Sequence, residues 1–299
     1  MKKVLCLLIL LAVSLNTAVA QDEEPEKKEK KPLSRDAFQS DLFMDNQTVW
    51  TPPSNTLEFI LQHRFGTIEN GISDLFGIWG ATNIRIGLNY SITKDVVVGL
   101  GTTKNKRYQD LNLKYVFFRQ RDHGFPLTIG YYGVYAIDAS DKSNFGKDYV
   151  FIDRFSFYHE LMFARRFCSR FSMQLGVNFS HYNKVDSTLK NDVFGLSGLA
   201  RIKATPQTSV VISFQYPFML GYDEPFILKY GQTGVYWGPN RPLPNVGLGV
   251  EICTSTHAFH IFLSAAQGII PQEIATFNRN DILDGQIILG FNMTRLWTF

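Results

Sequence analysis

The last fifteen residues, "GQIILGFNMTRLWTF" (285–299), alternate in polarity. Ile287, Leu289, Phe291 and Met293 fall on one face of an extended chain; Gln286, Gly290, Asn292 and Thr294 fall on the other. Period two marks a strand with two unlike faces. Counting on by twos puts Trp297 and Phe299 on the apolar face. Outer-membrane barrels commonly finish on such a strand with an aromatic last residue, which the assembly machinery reads. Phe299 is therefore the expected assembly signal.

Eleven further segments repeat the pattern: 56–65, 81–91, 95–103, 108–119, 125–137, 151–166, 171–182, 193–204, 207–218, 246–254 and 257–265. The clearest is 171–181. There Phe171, Met173, Leu175, Val177 and Phe179 oppose Ser172, Gln174, Gly176, Asn178 and Ser180. The weakest is 151–166, with aromatics on both faces. Aromatic residues make up 14% of the chain, an excess that suits both strands and a lipid interface.

The connections alternate too. "ITKD", "QRDHG", "FCSR", "TPQ" and "ST" are short, while "GTIENGISDLFGIWG", "DASDKSNFGKDY", "NKVDSTLKND", 219–245 and "QGIIPQEIATFNRNDILD" are long. Only the connection around "TKNKR" is intermediate. Short periplasmic turns and long outer loops are expected of an outer-membrane barrel and are not required of a soluble sandwich. An even strand count returns the chain to the side on which it began. The expected fold is all-β, an antiparallel up-and-down transmembrane β-barrel of about 12 strands. Its apolar face meets lipid, its polar face meets the lumen, and closure pairs every backbone donor.

The N-terminus reads as a signal peptide over 1–20. "MKK" is basic, "VLCLLILLAVSL" is apolar, and "AVA" precedes Gln21. Residues 21–48, opening with "QDEEPEKKEKKPL", are expected to be a charged, mostly disordered periplasmic segment. The barrel is then 49–299, in the outer membrane of a Gram-negative bacterium. A net charge of +3 is too small to indicate nucleic acid.

Five stretches together resemble an uncharacterised domain-of-unknown-function family of small Gram-negative outer-membrane β-barrel proteins. They are "LEFILQHRFGTIENG", "ATNIRIGLNYSITKDVVVGLGTTKNKRY", "LNLKYVFFRQ", "VGLGVEICTSTHAFHIFLSAAQGIIPQE" and "GQIILGFNMTRLW". The phrases "QHRFG" and "QGIIPQE" are the most distinctive. The resemblance runs from about Thr48 to the end. It implies the barrel and supplies no catalytic or ligand residues.

Strand parity assigns Glu58, Arg64, Arg85, Asp110, Lys114, Arg154, Glu160, Arg166, Arg201, Lys203 and Glu251 to the lumen face. The lumen-lining candidates are Glu58, Arg64, Arg85, Lys114, Arg154, Glu160, Arg201 and Glu251. Across the larger set basic residues outnumber acidic ones, which suits either a slightly anion-favouring pore wall or a structural ion network. The six histidines are scattered without zinc-site spacing, and no cofactor is expected. "SHYN" (180–183) holds Ser and His, but adjacent strand residues face opposite sides, so no enzyme is expected. Cys168 lies in an inner turn and Cys253 faces the lumen near the same end, but their strands are not neighbours, which argues against a disulfide.

The function expected is a narrow passive channel for small solutes. The alternative is a closed barrel acting as a membrane anchor or docking partner for periplasmic or surface proteins. The expected partners are outer-membrane lipid, the assembly machinery and small solutes.

Overall fold

Alternation of polarity becomes alternation of exposure in the computed structural model, which describes residues 31–186, 189–218, 230–231, 234–235 and 242–299. Apolar side chains on one face are left open: Leu111 is 59% exposed, Ile261 56%, Leu248 55% and Val177 54%. Their strand neighbours Asn112, His260, Gly249 and Asn178 turn inward, and of these Asn112, His260 and Asn178 are buried among protein atoms. A soluble barrel has the opposite polarity. An outward apolar belt with a polar interior belongs in lipid.

The barrel strands are β1 (Thr56–Thr67), β2 (Asn83–Ser91), β3 (Val96–Thr103), β4 (Gln109–Phe118), β5 (Thr128–Ile137) and β6 (Phe155–Arg166). They continue as β7 (Phe171–Tyr182), β8 (Asp192–Lys203), β9 (Thr208–Phe218), β10 (Asn245–Cys253), β11 (His257–Ser264) and β12 (Ile288–Thr298). Each pairs antiparallel with its sequence neighbours, and β12 pairs with β1 to close the ring. The closing register runs from Ile288 opposite Thr67 to Thr298 opposite Thr56. Closure leaves no edge whose amides would face hydrocarbon unpaired.

The turns 92–95, 119–127, 167–170, 204–207 and 254–256 lie at the end where β1 begins and β12 stops. Short turns mark this as the periplasmic end. The outer loops include a seven-residue helix, α1 (Pro271–Phe277). No helix among the described residues is long and apolar enough to cross a membrane, which has no bearing on a barrel. Residues 1–30, and with them the expected signal peptide, lie outside the described residues, as does most of 219–241.

Two segments depart from the sequence reading. Residues 151–154 are not strand but a tight 3-10 turn ahead of β6. The Asp153 carboxylate accepts the Val150 N–H at 3.1 Å and Lys184 Nζ at 2.9 Å, which folds the chain out of the extended conformation. Those bonds, Lys184 first, hold Asp153 below its ordinary 3.8. The stabilisation from a depressed carboxylate is full above the ordinary value and fades as pH falls through the lower folded one. The protection factors of amides 150–154, exchange rates corrected for the intrinsic pH dependence, are thus expected to be flat across neutral pH and to fall only below that value.

The second departure is larger. Residues 37–48, expected to belong to a disordered periplasmic segment, are inserted into the barrel. Phe38, Asp41, Phe43, Met44 and Thr48 are all 1% exposed or less. The charge run ends at Lys31, and "AFQSDLFMDNQTVW" (37–50) carries enough apolar residues to be worth burying.

Candidate functional site: a lumen filled from both ends

Within the barrel the inserted segment makes a minimal hairpin, Leu42–Phe43 paired with Asn46–Gln47. Its tip is Met44-Asp45. Met44 sits at φ 51°, a left-handed conformation that a non-glycine residue adopts only when its surroundings impose it. The surroundings are β1, β10 and β12. Arg64 donates from Nη2 to Asp45 Oδ1 at 2.6 Å and from Nε at 3.1 Å. Asn292 Nδ2 donates to the Met44 carbonyl at 2.7 Å, and Asn245 Nδ2 to Asp45 Oδ2 at 2.9 Å. Arg64 and Asp45 have fully buried side chains.

A second anchor lies nearer the periplasm. Lys114 Nζ on β4 pairs with the Asp41 carboxylate, which also accepts Asn89 Nδ2 at 3.0 Å. A third ties the entry of the segment to the wall. Ser40 Oγ donates to Glu251 Oε1 at 2.7 Å, Arg201 Nε donates to Glu251 Oε2 at 2.8 Å, and Arg201 Nη2 reaches Gln39. Gln174 on β7 completes the grip, accepting the Val49 N–H at 2.9 Å and donating to the Gln47 carbonyl at 2.8 Å. The apolar side of the segment (Phe38, Phe43, Met44 and Val49) packs on Tyr132, Tyr158, Met162, Leu199 and Phe262 of the wall.

The outer mouth is closed by the distinctive phrase "QGIIPQE" (267–273). Ile269, Ile270, Gln272, Ile274 and Thr276 are buried where α1 packs against β6, β7, β8 and β9. Glu273 accepts Asn105 Nδ2 at 2.7 Å and the Ile269 N–H at 3.2 Å. Burial outweighs these bonds and the nearby Lys106, and raises its carboxyl above the ordinary value. A cavity of about 20 Å³ lies between the hairpin, the wall and Ile270, and another of about 10 Å³ lies beside α1. Each has room for about one water molecule, so among the described residues these two cavities offer no path for solute.

The lumen-lining candidates divide accordingly. Glu58, Arg64, Arg85, Lys114, Glu160, Arg201 and Glu251 are buried on the inner face. Arg85 pairs with Asp110 at 2.5 Å and donates to Gln62 at 3.0 Å. Its guanidinium fills the space over Gly101, where an added Cβ would lie 2.4 Å from Nη2. Glu160 accepts from Ser197, and Glu58 faces Asp41 and Asn89. Arg154 is a correction. It lies in the outer loop, donating to the Asp138 and Ser140 carbonyls at 2.7 and 2.8 Å, because strand parity was counted through a turn. Phe299 is 80% exposed at the periplasmic rim, and its N–H donates to the Asn55 carbonyl at 3.0 Å.

With Arg154 in the loop and Arg166 and Lys203 at the rim, the middle of the wall carries four cations (Arg64, Arg85, Lys114, Arg201). Four carboxylates (Glu58, Asp110, Glu160, Glu251) balance them. The basic excess read from the sequence sits at the mouths. Sequence reasoning missed Asp41 and Asp45, the two carboxylates that bring the inserted segment to Lys114 and Arg64. The signal for them was a pair of acids set among apolar residues just after the charge run ended.

A closed antiparallel barrel with a lipid-facing belt and a polar interior defines a Gram-negative outer-membrane β-barrel protein. Residues 38–297 match the family described as a membrane bound beta barrel domain (DUF5777), and the chain belongs to that family. The match begins at Phe38 and so takes in the inserted segment as well as the strands. No curated protein matches the sequence. Among solved structures the chain is similar to the NanC porin, at 7% identity over 81% of this chain and 99% of that one, with a TM-score of 0.49. It is similar to the KdgM porin at 6% identity, over 82% and 99%, with a TM-score of 0.44. The outer membrane protein Omp33 of Acinetobacter baumannii gives 8% identity, over 81% and 98%, with a TM-score of 0.39.

Proposed function

We propose that this protein is a narrow outer-membrane channel for small solutes, held shut by its own N-terminal segment. The carrying observation is the kind of contact that holds the segment. Its tip and its entry are tied to the wall by ion pairs and amide hydrogen bonds, which water can replace once the segment leaves. Buried ion pairs are weak devices for stability alone, since well-packed apolar residues do as well or better. Between its apolar patches the wall behind is rich in polar groups. The hydroxyls of Ser91, Ser180, Ser209, Ser213 and Ser264 are buried without a hydrogen-bond partner among the described residues, a lining suited to water. In this reading the partners are lipid around the belt, the assembly machinery at the strand ending in Phe299, and small solutes in the opened lumen.

Two Ser–His arrangements among the described residues lack the geometry of a relay. Ser180 faces the lumen, whereas His181 faces outward and pairs with Asp192 at 2.6 Å. Ser40, His260 and Glu251 do cluster, but Ser40 Oγ (3.4 Å) and Glu251 Oε1 (3.5 Å) both approach the same nitrogen, Nε2. A relay needs nucleophile and acid on opposite ring nitrogens.

The test is conductance in planar bilayers. The intact protein is expected to be almost silent, and a chain with Asp41→Ala and Asp45→Ala to open steps of steady current. Silence in both, with both barrels folded, would overturn the channel. It would leave the second reading, a closed docking barrel, which the exposed Ile72, Phe76, Trp79 and Leu283 of the outer loops favour.

A further inference from the structure

Part of the basic excess displaced from mid-lumen, Arg166 and Lys203, lies around one space. At the periplasmic mouth a cavity of about 620 Å³ opens between the entry of the inserted segment and the turns after β6, β8 and β10. That is the size of a small-molecule site, some thirty times the larger of the two cavities deeper in the lumen. Five cations line it: Arg35, Arg166, Arg170, Arg201 and Lys203. The carboxylates nearby do not balance them. Glu251 is engaged by Arg201, and Asp36, the one acidic residue in the lining, lies 3.6 Å from Arg119. Among the described residues Arg35, Arg170 and Lys203 form no ion pair. Arg170 and Lys203 are set side by side, because the Lys203 N–H donates to the Arg170 carbonyl at 2.8 Å. Ser169, Ser172 and Gln207 add hydroxyl and amide donors around the same space.

We infer that this vestibule is a binding site for a small multivalent anion carrying two or more phosphate or carboxylate groups, taken from the periplasmic side. Multivalence follows from the layout. The cations come from three separate elements on the rim of a wide space, and a single carboxylate cannot reach them together. Arg170 and Lys203 present adjacent charges to one anionic group, and Arg35 presents another from the inserted segment. A diffusible solute fits better than a lipid headgroup, because the cations line the inside of the mouth and not the lipid-facing belt. The site stands apart from the channel reading, since binding here requires no passage through the lumen.

Trp50 lines the vestibule and reports on it. The experiment uses the full chain in detergent with Trp79, Trp237 and Trp297 replaced by Phe, titrated with pyrophosphate and separately with citrate. A saturable change in Trp50 emission is expected, weakened by added salt. Arg170→Glu with Lys203→Glu is expected to reduce affinity by about tenfold or more, as two exposed attractions become repulsions. Lys142→Glu, a similar charge change in an outer loop, is expected to leave it unchanged. Retained heat-modifiable mobility on gels separates lost binding from lost folding. Equal affinity in the doubly reversed and parent proteins, or no binding of either anion, would overturn the site. So would binding that appears only after Asp22, Glu23, Glu24 and Glu26 are neutralised, because the occupant would then be the chain's own acidic stretch. None of these results depends on current, so failure here leaves the proposed channel to its own test.

Discussion

Replacing Asp41 and Asp45 with Ala is expected to free the inserted segment while leaving the barrel folded. Each substitution removes one partner of a buried pair. Lys114 loses the Asp41 carboxylate, and Arg64 loses both of its bonds to Asp45 Oδ1. A buried charge stripped of its partner costs about 3–5 kcal/mol. The two cations recover solvation if water enters the lumen, and water enters only if the hairpin moves. The strands are not asked to change, since their ladder and lipid contacts do not involve the segment. Amide exchange at residues 37–49, read by mass spectrometry, should therefore rise by about a hundredfold or more while strand amides keep their protection. The Thr48 amide, bonded to the Asp41 carbonyl at 2.9 Å, is a sensitive reporter. Unchanged exchange in the segment would mean that the apolar packing of Phe38, Phe43 and Met44 holds it without the ion pairs. Loss of strand protection in step with the segment would mean that the segment is part of the barrel's structural core.

Val177→Arg separates lipid from water. Val177 is 54% exposed on the outer face of β7, near the middle of the strand. An exposed valine in a water-soluble sheet tolerates the change within about 0.5 kcal/mol. Facing mid-bilayer hydrocarbon, the same arginine costs about 2–4 kcal/mol. Folding into phospholipid vesicles, followed by urea titration, should show the larger loss, with Val177→Leu nearly neutral. Indifference to Arg at this position would contradict the assignment of the apolar face to lipid.

Much of this architecture is legible from the chain. Period-two alternation locates β7 to the residue and β12 to within three residues, because a lipid-facing strand must keep one face apolar throughout. The filling of the lumen is not legible in the same way. Asp41 and Asp45 sit in a stretch without periodicity, behind a charge run that reads as solvated. Their burial depends on partners 19 to 200 residues away in sequence. Arg154 was misplaced because parity carries no information once the chain leaves the strand, and Val150–Arg154 leaves it through a side-chain cap that alternation does not register. In α1, a helix of seven residues has too few turns for a helical period to stand out. Its apolar residues turn inward only because a barrel mouth is there to receive them.

Removable closure by residues 37–49 is the central claim, and locking the segment tests it most directly. Val49 and Gln174 are joined by a 2.9 Å hydrogen bond between segment and wall. In a chain with Cys168→Ser and Cys253→Ser, cysteines placed by Val49→Cys and Gln174→Cys can be bridged by a short cleavable cross-linker. Single-channel current is then recorded with Asp41→Ala and Asp45→Ala also present, before and after the bridge is cleaved. The account predicts silence while the bridge holds and open steps once it is cut. Equal conductance in the bridged and cleaved states would contradict it.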